Sequence, residues 1–81
     1  ITLDKNETGG SLFDKLSAKG AALCVHTLAE LEKGTITPEE QGESITEYAK
    51  MLNKKSGEID WTKTAVEIER LIRGLNPWPS A

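Results

Sequence analysis

The sequence predicts a mostly α chain, and three observations carry that reading. Apolar residues recur at three- and four-residue spacing in three separate stretches, about 10–33, 45–54 and 62–74. Hydroxyl residues stand where each stretch would begin, and glycines stand where each would end. No stretch reads as a strand of any length, and there is no internal repeat or low-complexity tract.

In the first stretch Leu12, Phe13, Leu16, Leu23, Cys24 and Leu31 fall within about 120° of one another when wound at 100° per residue, which makes one stripe for burial. Thr8 or Ser11 can cap its start, because a hydroxyl oxygen accepts from the free N–H groups of a first helical turn. Gly34 stands where a helix needs a left-handed exit. Gly20 interrupts the middle at a cost of roughly 1 kcal/mol relative to Ala. It lies on the apolar stripe, so either a close-packed neighbour uses the space or the stretch breaks into two shorter helices.

Gly34 to Ser44 reads as a connector, in which Thr37-Pro38 can start a single turn. Ser44 and Glu47 then match a capping box, and Ile45, Tyr48, Ala49 and Leu52 follow at i, i+3, i+4 and i+7, predicting a short amphipathic helix. Lys54-Lys55 and Gly57 would close it, the charges favouring the negative helix end and the glycine supplying the turn. A second capping box, Thr64 to Glu67, opens the last stretch. There Trp61, Ala65, Ile68, Leu71, Ile72 and Leu75 form one stripe, and Glu69 and Arg73 pair across one turn for a few tenths of a kcal/mol. Gly74 and Pro77 end that helix, and the prolines on either side of Trp78 impose an extended path there, so Trp78 is expected to plug into another surface.

Composition narrows the function classes. A chain of 81 residues buries only about 60% of the surface its unfolded form exposes, and 5% aromatic residues is a thin endowment for a free-standing core. Ten Lys and Arg against thirteen Asp and Glu give a net charge of −3, which argues against a free-standing nucleic-acid binder while leaving room for a local basic patch. The single cysteine, Cys24, cannot form an internal disulfide, which suits a cytoplasmic protein. No apolar run approaches the roughly 20 residues of a membrane span. The chain opens at Ile1 without an initiator Met or a signal-peptide pattern and stops within a Pro-Trp-Pro segment, so it is expected to be a piece of a larger protein.

The residues assemble no complete active site. His26 and Cys24, two positions apart on a helix, point in different directions and cannot pair as nucleophile and base. One Cys and one His cannot fill a tetrahedral zinc site, and Glu39, Glu40 and Glu43 suit a solvated connector. No catalytic, metal or cofactor-binding residue is therefore assigned. Gly9-Gly10-Ser11-Leu12 at a helix start resembles the phosphopantetheine-accepting serine of small acidic helical carrier domains, which makes a carrier with Ser11 as its prosthetic-group site the alternative reading. Carriers place that serine on their second helix, and here only ten residues precede it. Lys50, Lys54 and Lys55 cluster at the end of the second stretch, and Arg70 and Arg73 lie on the exposed side of the third, either a solvated face or phosphate contacts.

Taken together, the motifs resemble one family across nearly the whole chain, the methionyl-tRNA formyltransferases. The most specific part is Ile59-Asp60-Trp61 followed by Ala65, Ile68, Ile72-Arg73 and Asn76-Pro77-Trp78-Pro79, similar to the family's segment joining two domains. Glu7-Thr8-Gly9-Gly10-Ser11-Leu12-Phe13-Asp14-Lys15-Leu16 with Gly20 resembles the last long helix of its catalytic domain, and Gln41 and Tyr48-Ala49 match the connector between. Formyltransferases acting on nucleotide sugars, or carrying folate dehydrogenase domains, share parts of this pattern. Leu75-Asn76-Pro77-Trp78-Pro79 leans toward the tRNA enzyme. Two departures stand out: Ser80 where many members have Gly, and Asn53-Lys54-Lys55-Ser56-Gly57 where a Ser-Lys-Glu-Asp-Gly type linker is more usual.

The resemblance implies a parent with an α/β nucleotide-fold domain and a C-terminal β-barrel, acting in translation initiation. That parent would transfer a formyl group from its co-substrate 10-formyltetrahydrofolate to initiator methionyl-tRNA. It assigns 1–34 to the end of the catalytic domain, 35–58 to an interdomain linker and 59–81 to the start of the C-terminal domain. The family's catalytic Asn, His and Asp and its Ser-Leu-Leu-Pro loop lie upstream of these residues, so the piece alone is expected to be inactive. Lys54, Lys55 and Arg73 are the expected tRNA contacts, and Trp61 and Trp78 the expected interdomain packing residues. The partners implied are initiator tRNA and the parent's own sheet and barrel, with no membrane; apolar stripes left without them predict self-association.

Overall fold

The computed structural model describes residues 1–81, in the order α1 (Gly9–Lys33), a single 3-10 turn (Lys54–Gly57) and α2 (Ala65–Gly74). There is no strand. Its radius of gyration, 17.0 Å, exceeds the roughly 12 Å of a compact domain this size. The longest dimension is 53 Å, and α1, with 25 residues, runs about 37 Å at 1.5 Å each.

Helix α1 is continuous through Gly20. Thr8 is its N-cap: Thr8 Oγ1 accepts from Ser11 N at 3.0 Å, and Ser11 Oγ accepts from Thr8 N at 3.0 Å. Both expected capping residues thus serve, one from each side of the box. Gly34 takes the left-handed conformation at φ 71°, and the Thr35 N–H reaches back to the Glu30 carbonyl at 3.1 Å. The second expected box, Thr64 with Glu67, opens α2. Helix α2 starts at Ala65 rather than near 62, because Asp60 accepts from Thr62 N at 3.0 Å and holds Trp61 and Thr62 in a turn.

The helix expected over 45–54 is absent, so the chain has two α-helices, not three. Ser44 Oγ accepts from Thr46 N at 3.2 Å, a local turn that diverts the hydroxyl from capping. Nothing compensates: a helix of ten residues is unstable unless its apolar face is covered, and here Ile45 is 99% and Met51 93% exposed. The capping geometry appears further on, where Asn53 and Ser56 bond reciprocally around the Lys54–Gly57 turn.

The stripe of α1 is also uncovered, with Phe13, Leu16, Leu23 and Leu31 all exposed. Gly20 has nothing near the position a side chain would take, so no neighbour within the chain fills the expected space. Only Leu75 and Glu7 are buried. Both belong to one seam, where the start of α1 meets the end of α2.

Candidate functional site

The seam is built from backbone. The Gly10 N–H donates to the Asn76 carbonyl at 2.8 Å. A Cβ on Gly9 would overlap the Gly74 carbonyl oxygen, and one on Gly10 would come within 2.9 Å of Pro77 Cδ. The two glycines are therefore a landing surface for 74–77, since only a residue without a side chain lets main chains approach this closely. Gly57 makes a similar approach to the Ser80 carbonyl, which brings the 3-10 turn against the C-terminal segment. Phe13 and Leu52 line a shallow hollow with Pro77 and Trp78 beside the seam.

Glu7 organises the polar side of this seam. Its carboxylate accepts from Lys15 Nζ at 2.7 Å, from the Ser11 hydroxyl and from the Asp4 N–H at 3.3 Å. Lys15 also reaches Asp4 at 2.7 Å. Donors from Lys15 first and Ser11 second hold the Glu7 pKa at about 2, well below the ordinary 4.5, while Asp4 first and Glu7 second raise Lys15. The main-chain carbonyl of Glu7 accepts from Arg73 Nη1 at 2.9 Å. Arg73 also grips Glu69, Nη2 to Oε2 at 3.1 Å with Nε on the other oxygen, which lowers the Glu69 pKa and raises that of Arg73.

The site residues expected from sequence fall into separate places. Lys54 and Lys55 are exposed on the 3-10 turn and enter no ion pair. Arg73 is half-buried and turned inward onto Glu69 and Glu7, so it is not grouped with the two lysines as one basic face. Trp61 is 77% and Trp78 57% exposed, and only Trp78 borders the seam. Ser11 lies in the first turn of α1, half-buried, with its hydroxyl committed to Glu7 and Thr8. That commitment leaves the carrier alternative without a free nucleophile. The sequence reading missed the role of Gly9 and Gly10, although paired glycines at the head of a helix and a Gly-Leu-Asn-Pro exit are the residue types a close main-chain crossing requires.

This crossing joins two parts of the sequence that comparison treats differently. Residues 51–81 match the family model described as formyl transferase, C-terminal domain, which defines the class. Over all 81 residues the chain is 62% identical to a methionyl-tRNA formyltransferase of Lachnospira eligens and 59% identical to that of Agathobacter rectalis, covering 26% of each. It is 48% identical over the same length to that of Clostridium acetobutylicum, again 26% of that protein. The chain belongs to the methionyl-tRNA formyltransferase family and spans about a quarter of the length of the curated relatives it matches. No solved structure matches it. No helix is long and apolar enough to cross a membrane.

Proposed function

We propose that this chain is the positioning segment of an enzyme that transfers a formyl group from 10-formyltetrahydrofolate to the amino group of methionine on initiator tRNA, acting in the cytoplasm at translation initiation. The observation that carries this reading is the seam. Residues matching the C-terminal formyl transferase model are bonded directly to the start of α1 and the chain just before it, both outside that match, through Gly10 to Asn76 and Arg73 to Glu7.

In this reading 1–34 close the catalytic domain, 35–58 link, and 59–81 begin the C-terminal domain. The substrate amine is the nucleophile, and the base and the groups that polarise the formyl carbonyl come from outside these residues. What the segment contributes is geometry: a tRNA engaging both domains delivers its acceptor end to a place set by the angle between them. A misplacement of about 1 Å costs on the order of 100-fold in rate. The exposed stripe of α1 would lie on the catalytic sheet, and Trp61 and Trp78 would pack between domains. Lys54 and Lys55, exposed and unpaired, would meet the tRNA backbone.

The test compares the chain alone with the intact enzyme. The chain supplied with formyl donor and methionyl-tRNA is expected to give no transfer, and Trp78→Ala in the intact enzyme is expected to broaden its small-angle scattering profile and lower its melting temperature. Turnover by the chain alone, or unchanged scattering and melting in the variant, would overturn the positioning reading.

A further inference from the structure

Arg73 is the side chain that ties the two halves of the seam. A guanidinium offers five N–H donors in a planar fork, each direction fixed by the plane. Here two nitrogens take the Glu69 carboxylate one turn earlier on α2, and the third donates to the Glu7 carbonyl. Glu69 therefore sets the orientation of the fork, and the fork reaches the chain just before α1. The acceptor is equally constrained, because the Glu7 side chain is held by Lys15, Ser11 and the Asp4 N–H, and its own N–H donates to the Asp4 carbonyl at 3.1 Å. On the other side of the first turn, Gly10 bonds to Asn76 at 2.8 Å. Two bonds at separated points stop both sliding and rotation of α2 against α1, which one bond would not.

We propose that Arg73 is a positioning residue that fixes the orientation of the C-terminal formyl transferase domain on the helix α1, and with it the placement of methionyl-tRNA. This rests on the reading of the segment as an interdomain joint. It gives Arg73 a role different from phosphate contact: its fork is committed within the protein, whereas Lys54 and Lys55, like Lys50, Lys63 and Arg70, face solvent.

The experiment uses the intact methionyl-tRNA formyltransferase carrying this segment, with Arg73→Ala, Arg73→Lys and Gly10→Ala. Formylation of methionyl-tRNA is measured across a salt series, alongside formyl-donor affinity and melting. Both Arg73 variants are expected to lower kcat by roughly 10- to 100-fold, with the salt slope of KM and the donor affinity unchanged. Lys keeps the charge but cannot hold Glu69 and the Glu7 carbonyl together, so it should not rescue. Gly10→Ala, which alters no charge, is expected to reproduce the kcat loss by pushing Pro77 away. A salt slope reduced by about one in Arg73→Ala and restored in Arg73→Lys identifies a phosphate contact and overturns the proposal, as does wild-type kcat in the Arg73 variants. Should Arg73→Ala not fold, Glu69→Gln loosens the fork while keeping its charge and must show a smaller kcat loss; an unchanged kcat there is equally fatal. Failure of the underlying reading is distinct, since the unaltered enzyme would then not formylate methionyl-tRNA.

Discussion

The Arg73 guanidinium donates to the main-chain carbonyl of Glu7 at 2.9 Å across a sequence separation of 66 residues. Because the acceptor belongs to the peptide and not to the carboxylate, the Glu7 side chain is free for a different task, gathering Lys15, Ser11 and Asp4 around the start of α1. One residue thus links the local order of a helix N-terminus to the long-range crossing of α1 by α2.

That arrangement makes the seam sensitive to acid. The folded-state pKa of Glu7 is depressed to about 2 by its hydrogen bonds from Lys15 and Ser11. A carboxylate whose folded pKa lies below its unfolded value stabilises fully above the unfolded value and progressively less as pH falls through the folded one. Glu7→Gln in the intact enzyme is therefore expected to lower the melting temperature above pH 4.5. The gap between wild type and variant should close as pH approaches about 2. A gap independent of pH would show that the carboxylate charge does not stabilise the seam.

Glycine substitutions should separate the seam from the rest of α1. Gly10→Ala places a Cβ within 2.9 Å of Pro77 Cδ and is expected to destabilise by about 1–3 kcal/mol, the usual cost of overpacking. Gly20→Ala meets nothing and replaces a poor helix former in a helix interior, so it is expected to raise the helicity of this chain, by up to about 1 kcal/mol of helix stability. Circular dichroism and melting measure both. Opposite signs are the expected outcome, and equal effects would contradict the close approach at Gly10.

What was legible in the sequence divides along physical lines. The capping residues of α1 and α2 were readable because capping is local: Thr8 with Ser11, Thr64 with Glu67 and the left-handed Gly34 each act within a turn of their own position. The same local logic failed at Ser44 and Glu47, where a matching box exists but no surface covers Ile45, Tyr48 or Met51, so propensity alone did not hold a helix. The pairing of Glu69 with Arg73 was readable from i,i+4 spacing, whereas the bond from Arg73 to Glu7 was not, because a main-chain acceptor carries no residue signature. The role of Gly9 and Gly10 was not read, because the segment that lands on them, 74–77, becomes known only when the chain closes on itself.

Ser80 illustrates a cost visible only in the backbone. It lies at φ 71°, in the left-handed region, with its N–H donating to the Leu75 carbonyl at 2.9 Å and its hydroxyl to the Pro77 carbonyl at 2.9 Å. The conformation costs a non-glycine residue roughly 1–2 kcal/mol, while glycine loses about 0.5–1 kcal/mol more chain freedom on folding. Ser80→Gly is expected to stabilise by a few tenths to about 1 kcal/mol, because the bond to Leu75 survives the change. A lower melting temperature in the variant would mean that the exposed hydroxyl bond outweighs the backbone gain.

Lys54 and Lys55 give the clearest separation of electrostatics from geometry. They are exposed, enter no ion pair and share a turn whose Gly57 abuts the Ser80 carbonyl, so removing their charges leaves the seam's own bonds intact. Each phosphate contact contributes about 0.7–0.9 to the slope of log affinity against log salt concentration. Replacing both lysines by Ala in the intact enzyme is expected to weaken methionyl-tRNA binding, to reduce that slope by about one to two, and to leave kcat at saturating tRNA and formyl-donor affinity at wild-type values. Seam variants should show the converse, a lower kcat with the slope preserved. Titrations of each variant with methionyl-tRNA over a salt series read both quantities at once. An unchanged slope in the double variant would remove these lysines from the tRNA interface while leaving the joint formed by Arg73, Glu7, Gly10 and Asn76 untouched.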